Sequence, residues 1–222
     1  NGSTLTWSAT GLTPSTTYNF AVRAVTSTGT SAQSAVASAT TFALGVELYD
    51  HFDENAGTIA MDASGFKRNG TLSGGAVWSK DRPNVLNDNS SIDFPANSTA
   101  VVTTPNASAF NFGSSYSLAL WVKTPVVGTV HIIGQRSSGC GAVGWELAQD
   151  GTSLYMAGVA SRQNFGQLLP AGVWTHVAVT NNAGTQTLYI NGAQVASGTF
   201  GVGNHLALPL HIGAVGGCTG GE

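Results

Sequence analysis

The chain has 222 residues, a formal net charge of −3, and only 9% charged residues against 42% hydrophobic ones; soluble domains carry roughly 25% charged residues. No cluster of Lys and Arg interleaved with aromatics occurs, which argues against a nucleic-acid partner. No apolar run reaches the length of about 18 residues that spans a bilayer, so no membrane span is expected.

No segment carries a helical i, i+3, i+4, i+7 apolar stripe. Short runs of β-branched and aromatic residues recur instead, separated by Gly, Pro, Asn, Asp and Ser, which predicts an all-β chain. The first run lies in GLTPSTTYNFAVRAV, residues 11–25. Tyr18, Phe20, Val22 and Ala24 alternate with Asn19, Ala21, Arg23 and Val25, as a strand requires. Pro14 pre-sets φ for a turn before it, and the Tyr18 hydroxyl is placed to reach back to the backbone of that turn. Gly11-Leu12-Thr13-Pro14, Tyr18, Phe20, Val22, Ala24 and the tail SAQSAVASATT resemble the C-terminal half of a fibronectin type III domain. The resemblance implies the last three strands of an immunoglobulin-like sandwich over residues 1–42, with half a core. Such a piece needs further strands to be stable, from the parent protein or from another chain.

The pattern resets near residue 43. Expected strands then follow at 46–53, 69–74, 76–78, 90–94, 99–104, 116–124, 131–137, 144–150, 153–159, 174–180, 185–191, 193–200 and 207–214. Asn191-Gly192 between alternating runs predicts a two-residue type I′ hairpin, because both positions tolerate φ > 0. About a dozen short strands imply two packed sheets. The succession FDENAG (52–57), DASGFKRNGTLSGGAVW (62–78), SIDF (91–94), YSLALWVKT (116–124), PAGVWTHVAVT (170–180), TLYINGAQVASG (187–198) and LHIGA (210–214) resembles a bacterial laminin-G-like, concanavalin A-like jelly roll. By resemblance, residues 43–222 form that domain. The family's usual closing strand, of the type G-x-I-D-x-V-x-I-Y, has no counterpart before the last residues, GGCTGGE. Its absence would leave a sheet edge open, completed within a longer chain or by a neighbouring one.

Catalytic relatives of this fold place acids in an E-x-D-x-E alternation that points all three to one face. No such alternation occurs here. Glu47, Asp50 and Asp53 are three apart, which sends neighbours to opposite faces. Glu146 and Asp150 share a face, but Asp150-Gly151 reads as a turn. The segment is therefore read as non-catalytic, although a parent protein can carry a glycoside hydrolase domain. The loop DASGFKRNG offers Asp62, Ser64 and Asn69 as oxygen donors, with Asp53 as a further carboxylate. Either it holds a structural Ca²⁺, as the resemblance implies for some members, or Asp62 and Ser64 make an Asx-type turn.

His51, His131, His176, His205 and His211 show no zinc spacing; His176 and His211 read as packed or surface residues. Cys140 and Cys218 are an even pair, which an oxidising compartment would join as a disulfide. Trp78, Trp121 and Trp174 are expected between the sheets. Trp145 is read either as an ordinary core residue or, following its Gly-rich loop, as a surface ring facing Tyr155 across a GWELAQDGTSLYM hairpin. With Arg162, Gln163 and Asn164 it would form a sugar site, since sugars offer apolar C–H faces to aromatic rings and hydroxyl edges to amides. The functional expectation is a carbohydrate-binding or adhesive module of an extracellular or cell-surface bacterial protein, with a polysaccharide or glycoconjugate as partner. The alternative is a structural spacer or assembly unit that self-associates by strand exchange.

Overall fold

The computed structural model describes residues 9, 12–13, 16–41, 45–86, 89–96, 99–105, 107, 110–113, 115–124, 129–136, 144–158, 162–199 and 208–213. The chain divides into two compact units, 1–47 and 48–222.

In the first unit, β1 (Thr17–Phe20) pairs antiparallel with β4 (Ala37–Thr40), and β2 (Val25–Thr26) pairs with β3 (Gly29–Thr30). The alternating run from Tyr18 does not continue as one regular strand. Ser34 Oγ accepts the Val22 N–H and Ser31 Oγ accepts the Ala24 N–H, each at 3.0 Å. Hydroxyls close to the backbone compete with ladder bonds in this way. Tyr18 does reach back: its hydroxyl accepts the Thr13 N–H at 2.9 Å, a bond that lowers its pKa. Val22, Val25 and Val36 are exposed, Val25 by 78%. Gly11 and Pro14, expected in the turn before β1, lie outside the described residues.

The second unit is a sandwich of antiparallel sheets, and among the described residues it contains no helix. The large sheet draws on β5 (Ile59–Ala60), β6 (Gly70–Ser73), β9 (Val101–Thr104), β11 (Val130–Arg136), β12 (Gly144–Gln149), β13 (Leu154–Ala157), β14 (Arg162–Asn164) and β18 (Leu210–Ile212). Their order is β14-β13-β12-β11-β18-β9-β6-β5. The small sheet is β10 (Ser115–Val122), β15 (Thr175–Asn182), β16 (Thr185–Ile190) and β17 (Ala193–Thr199), in that order. A separate pair joins β7 (Val77–Ser79) to β8 (Ser91–Asp93).

Period-two alternation builds the core. Ile133, Trp145, Leu147, Leu154 and Met156 of the large sheet meet Val177, Val179 and Leu188 of the small sheet, with Leu118, Leu120 and Val122 packed against them. A second cluster, Ala60, Leu72 and Val102, fills the other end of the large sheet. Asn191 (φ 50°) and Gly192 (φ 82°) make the expected reversal, with Ile190 opposite Ala193.

Three expectations change. Residues 46–53 form no strand; a single bridge links Asp50 to Asp62. Phe52 and Asn55 both have positive φ, a conformation that cannot continue a strand. β5 and β14 were not anticipated, because neither shows an apolar alternation. Trp121 does not pack between the sheets: it pairs with His176 on the face opposite Leu120 and Val122, and meets that imidazole edge-on with ring centroids 5.4 Å apart.

Candidate functional site

The outer face of the large sheet gathers most of the polar side chains singled out from the sequence. Residues opposite each other in antiparallel strands share a face, so the register gives two rows. One runs Asn164, Tyr155, Ala148, His131. The other runs Arg162, Ala157, Glu146, Gly134, His211, Thr103, Thr71. Tyr155, Arg162 and Asn164 are therefore brought together. Glu146, His131 and His211 join them, a grouping the sequence did not reveal.

Gly134 lies between Glu146 and His211. A Cβ there would sit 2.7 Å from the Trp145 carbonyl oxygen and 2.8 Å from the Glu146 Cβ, so a larger residue would displace the strand carrying the carboxylate. Glu146 is only 2% exposed, and its Oε2 lies 3.0 Å from His131 Nδ1. A carboxylate buried this deeply needs such partners. His211 Nδ1 is buried without a protein partner, and burial lowers its pKa.

At the β13–β14 end the face is held rigidly. The Arg162 guanidinium lies over the Tyr155 ring, 4.1 Å from its centroid. Arg162 Nε donates to Asn164 Oδ1 at 2.6 Å, and Nη2 pairs with the Asp150 carboxylate. Asp150 also accepts the Thr152 N–H and hydroxyl, both at 2.7 Å. The Thr152 hydroxyl first, and Arg162 next, hold its carboxyl well below the usual range. Tyr155 is 7% exposed, whereas Arg162 and Asn164 are exposed.

Two residues expected at the site are elsewhere. Trp145, 1% exposed, lies in the core, stacks on Phe112 at 4.2 Å, and donates its indole N–H to the Phe110 carbonyl at 3.1 Å. Its strand alternation puts it with Leu147 and Gln149, opposite to Glu146. Gln163 also points away from the row: a Cβ on Gly198 of β17 would come within 2.5 Å of its amide. Cys140 and Cys218 lie outside the described residues.

The 62–70 loop folds around Asp62. Its Oδ1 accepts the N–H groups of Tyr49 (3.1 Å) and Ser64 (2.8 Å), while Oδ2 accepts the Ser64 hydroxyl (2.7 Å) and the Arg68 N–H (2.9 Å). Asn69 Oδ1 accepts the Asp62 N–H at 3.0 Å. A carboxylate offers about four lone-pair directions, and here protein donors take them all. Burial alone would raise the Asp62 pKa, but these bonds, led by the Ser64 hydroxyl, hold it below the ordinary value. As folded, these donors do not fit a Ca²⁺ shell. Among the described residues no group of three or more His, Cys, Asp or Glu side chains is placed to hold a metal. Asp50, across the bridge, differs: both its oxygens are buried without a protein partner. Burial first, then the carboxylates of Asp62 and Glu54, push its pKa up to about 7.

The family model described as the concanavalin A-like lectin/glucanases superfamily matches residues 96–219. A comparison with curated protein sequences finds no match. Among solved structures, domain 4 of AbnA, an extracellular arabinanase of Geobacillus stearothermophilus in complex with arabinotriose, superposes with a TM-score of 0.54 at 20% identity, covering 74% of this chain and 80% of that one. The binding domain of botulinum neurotoxin serotype D superposes with a TM-score of 0.51 at 17% identity, covering 75% of this chain and 43% of that one. A mosaic C/D toxin receptor-binding domain gives 0.52 at 15%, covering 74% and 43%. This chain thus spans less than half of those toxin domains.

Proposed function

Because the chain belongs to the concanavalin A-like lectin/glucanase superfamily, we propose that residues 48–222 form a non-catalytic carbohydrate-binding module of an extracellular or cell-surface protein, with its contact surface at the β13–β14 end of the large sheet. One observation carries the reading: Arg162 and Asn164 stand exposed on that face while Tyr155 and Asp150 fix their positions. A planar guanidinium and an amide offer several N–H donors to sugar hydroxyls. Holding them in place beforehand lowers the entropic cost of binding. The arabinanase domain was seen with arabinotriose, so short neutral oligosaccharides are the first ligands to try.

Affinity electrophoresis in gels containing soluble polysaccharide, preceded by a glycan array to choose it, tests this. Arg162→Ala and Asn164→Ala should each weaken retention by about tenfold, the loss of one or two hydrogen bonds. Undiminished retention of both folded variants would remove the assignment.

A second reading, an assembly unit, rests on the sheet edges. Among the described residues, β10 has a ladder partner on one side only, β15. An open strand edge is a template for another strand, and sedimentation showing a monomer at every concentration would argue against it.

A further inference from the structure

We propose that the outer face of the small sheet is a second ligand surface, one that lies flat against an insoluble, uncharged polysaccharide. The register defines it. Trp121 and His176 form the first row, followed by Ala119, Ala178, Tyr189 and Gln194, then by Ser117, Thr180, Thr187 and Ser197. Ser115, Asn182, Thr185 and Thr199 form the last row. The alternate residues of the same strands, Leu118, Leu120, Val177, Val179 and Leu188, face the core.

Three properties of this face select the ligand. It carries no formal charge: 115–122, 175–182, 185–190 and 193–199 contain no Asp, Glu, Lys or Arg. The charges come only beyond one end, where Lys123 pairs with Asp81 and Asp81 accepts the Trp174 indole N–H at 2.8 Å. An ionic ligand would lose hydration on this face and find no counter-charge in return. The face is open, with Ser117, Ala119, Gln194 and Ser197 exposed and Trp121, Thr180, Thr187 and Tyr189 half-buried, as central positions on an uncovered sheet are. Its hydroxyls form a lattice, spaced about 4.8 Å across strands and roughly 6.8 Å along them. Within it Ser197 Oγ donates to the Gln186 carbonyl at 3.0 Å and lies 3.4 Å from Thr187 Oγ1, which leaves its lone pairs as acceptors; a hydroxyl both donates and accepts, so such rows are matched by another array of hydroxyls.

Tyr189 continues the Ala119–Ala178 row, and Trp121 stands two residues along β10 from Ala119. Aromatic rings in that setting take the C–H faces of pyranoses while the Ser/Thr rows take their edges. A second copy of the chain suits the face less well, because protein interfaces concentrate apolar and aromatic area at their centre and deplete Ser; here the two central strands present Ala178, Thr180 and Thr187 beside a single aromatic, Tyr189. The contacts are individually weak. On an insoluble chain array they act together, as tethered contacts do, so the surface selects solid material over short soluble fragments. This inference does not depend on the Arg162 site.

Co-sedimentation of the purified chain with microcrystalline cellulose and with insoluble chitin tests it. The wild type should be depleted from solution by at least one of the two. Thr187→Glu and, independently, Ser197→Glu place a carboxylate on the lattice and should cut the bound fraction by about tenfold, with an unchanged circular dichroism spectrum. Thr187→Ser keeps the hydroxyl and should bind like wild type. Loss of the solid-bound fraction in Arg162→Ala but in neither glutamate variant would place the contact on the other face and overturn the proposal. Failure of the wild type to bind either solid overturns the proposal. So does equal binding of both glutamate variants, or a concentration-dependent dimer that Thr187→Glu dissociates.

Discussion

The two outer faces of the sandwich solve the exposure of polar groups in opposite ways. On the large sheet the ionisable side chains are drawn in: Glu146 is almost fully buried against His131, and the Arg162 guanidinium is tied to Asp150 over Tyr155. On the small sheet the strands carry no Asp, Glu, Lys or Arg, and rows of Ser and Thr face outward, Ser197 held by the Gln186 carbonyl and Thr187. On the large sheet Glu146 and Arg162 thus sit where neighbours satisfy them, with His211 Nδ1 the exception, while the other broad surface carries uncharged groups. The first face presents fixed, directional groups; the second presents a repeated row of small polar ones.

The tryptophans give the sharpest way to break this contrast. Trp145→Ala removes the largest buried side chain of the core and should cost roughly 3–5 kcal/mol of stability, read as a lowered denaturation midpoint in urea. Trp121→Ala on the open face should cost about a third of that, since its ring is half-exposed before truncation. Equal losses would mean that the core and the open face of the small sheet are not distinguished by burial as described.

Asp50 and Asp62 repeat the contrast within one loop, since Asp62 has every lone pair satisfied and Asp50 none. The Asp50 pKa is raised, so folding favours the protonated acid. Below about pH 4 both folded and unfolded chains are protonated and there is no penalty. Between about pH 4 and 7 the unfolded chain ionises first, so stability falls as pH rises, and the penalty is complete above about 7. One pKa unit corresponds to about 1.4 kcal/mol, so the rise from 3.8 to about 7 puts the full penalty at roughly 4 kcal/mol as an upper bound. Asp50→Asn should therefore raise the melting temperature at pH 8, with the gain shrinking toward pH 4. His211 acts in the opposite sense: its lowered pKa costs stability as pH drops below its unfolded value of about 6.5. The difference between wild type and variant isolates the Asp50 contribution; a pH-independent difference would remove the buried-acid account. The smallest effect expected is that of chelation. With the Asp62 oxygens taken by protein donors, EGTA should leave the melting temperature within error, and a clear drop would show a cation where the loop bonds are drawn.

Much of this contrast is written in the alternation of the strands. YSLALWV places Trp121 opposite Leu118, Leu120 and Val122, and GWELAQ places Trp145 with Leu147 and opposite Glu146. Both positions are readable from period two alone. What misleads is the general tendency of tryptophan to pack in sandwich cores, and the Gly-rich approach to Trp145, which suggests a surface loop. The Asn191-Gly192 reversal is legible because its turn demands φ > 0 at two successive residues. The gathering of Tyr155, Arg162 and Asn164 with Glu146 and His131 is less so. It depends on the register of β14, a three-residue strand with no apolar alternation, and registers between strands are set by pairing rather than by local sequence. Residues 46–53 likewise fail to form a strand, with Phe52 left-handed near their end although nothing in its residue type announces a turn.

Gln163 has a mechanical consequence. It sits on the edge strand that presents Arg162 and Asn164, yet its own side chain is wedged against Gly198 at the edge of the opposite sheet. On the proposed reading, tension applied through a bound chain would be passed by this contact to both layers of the sandwich, not to one outer strand alone.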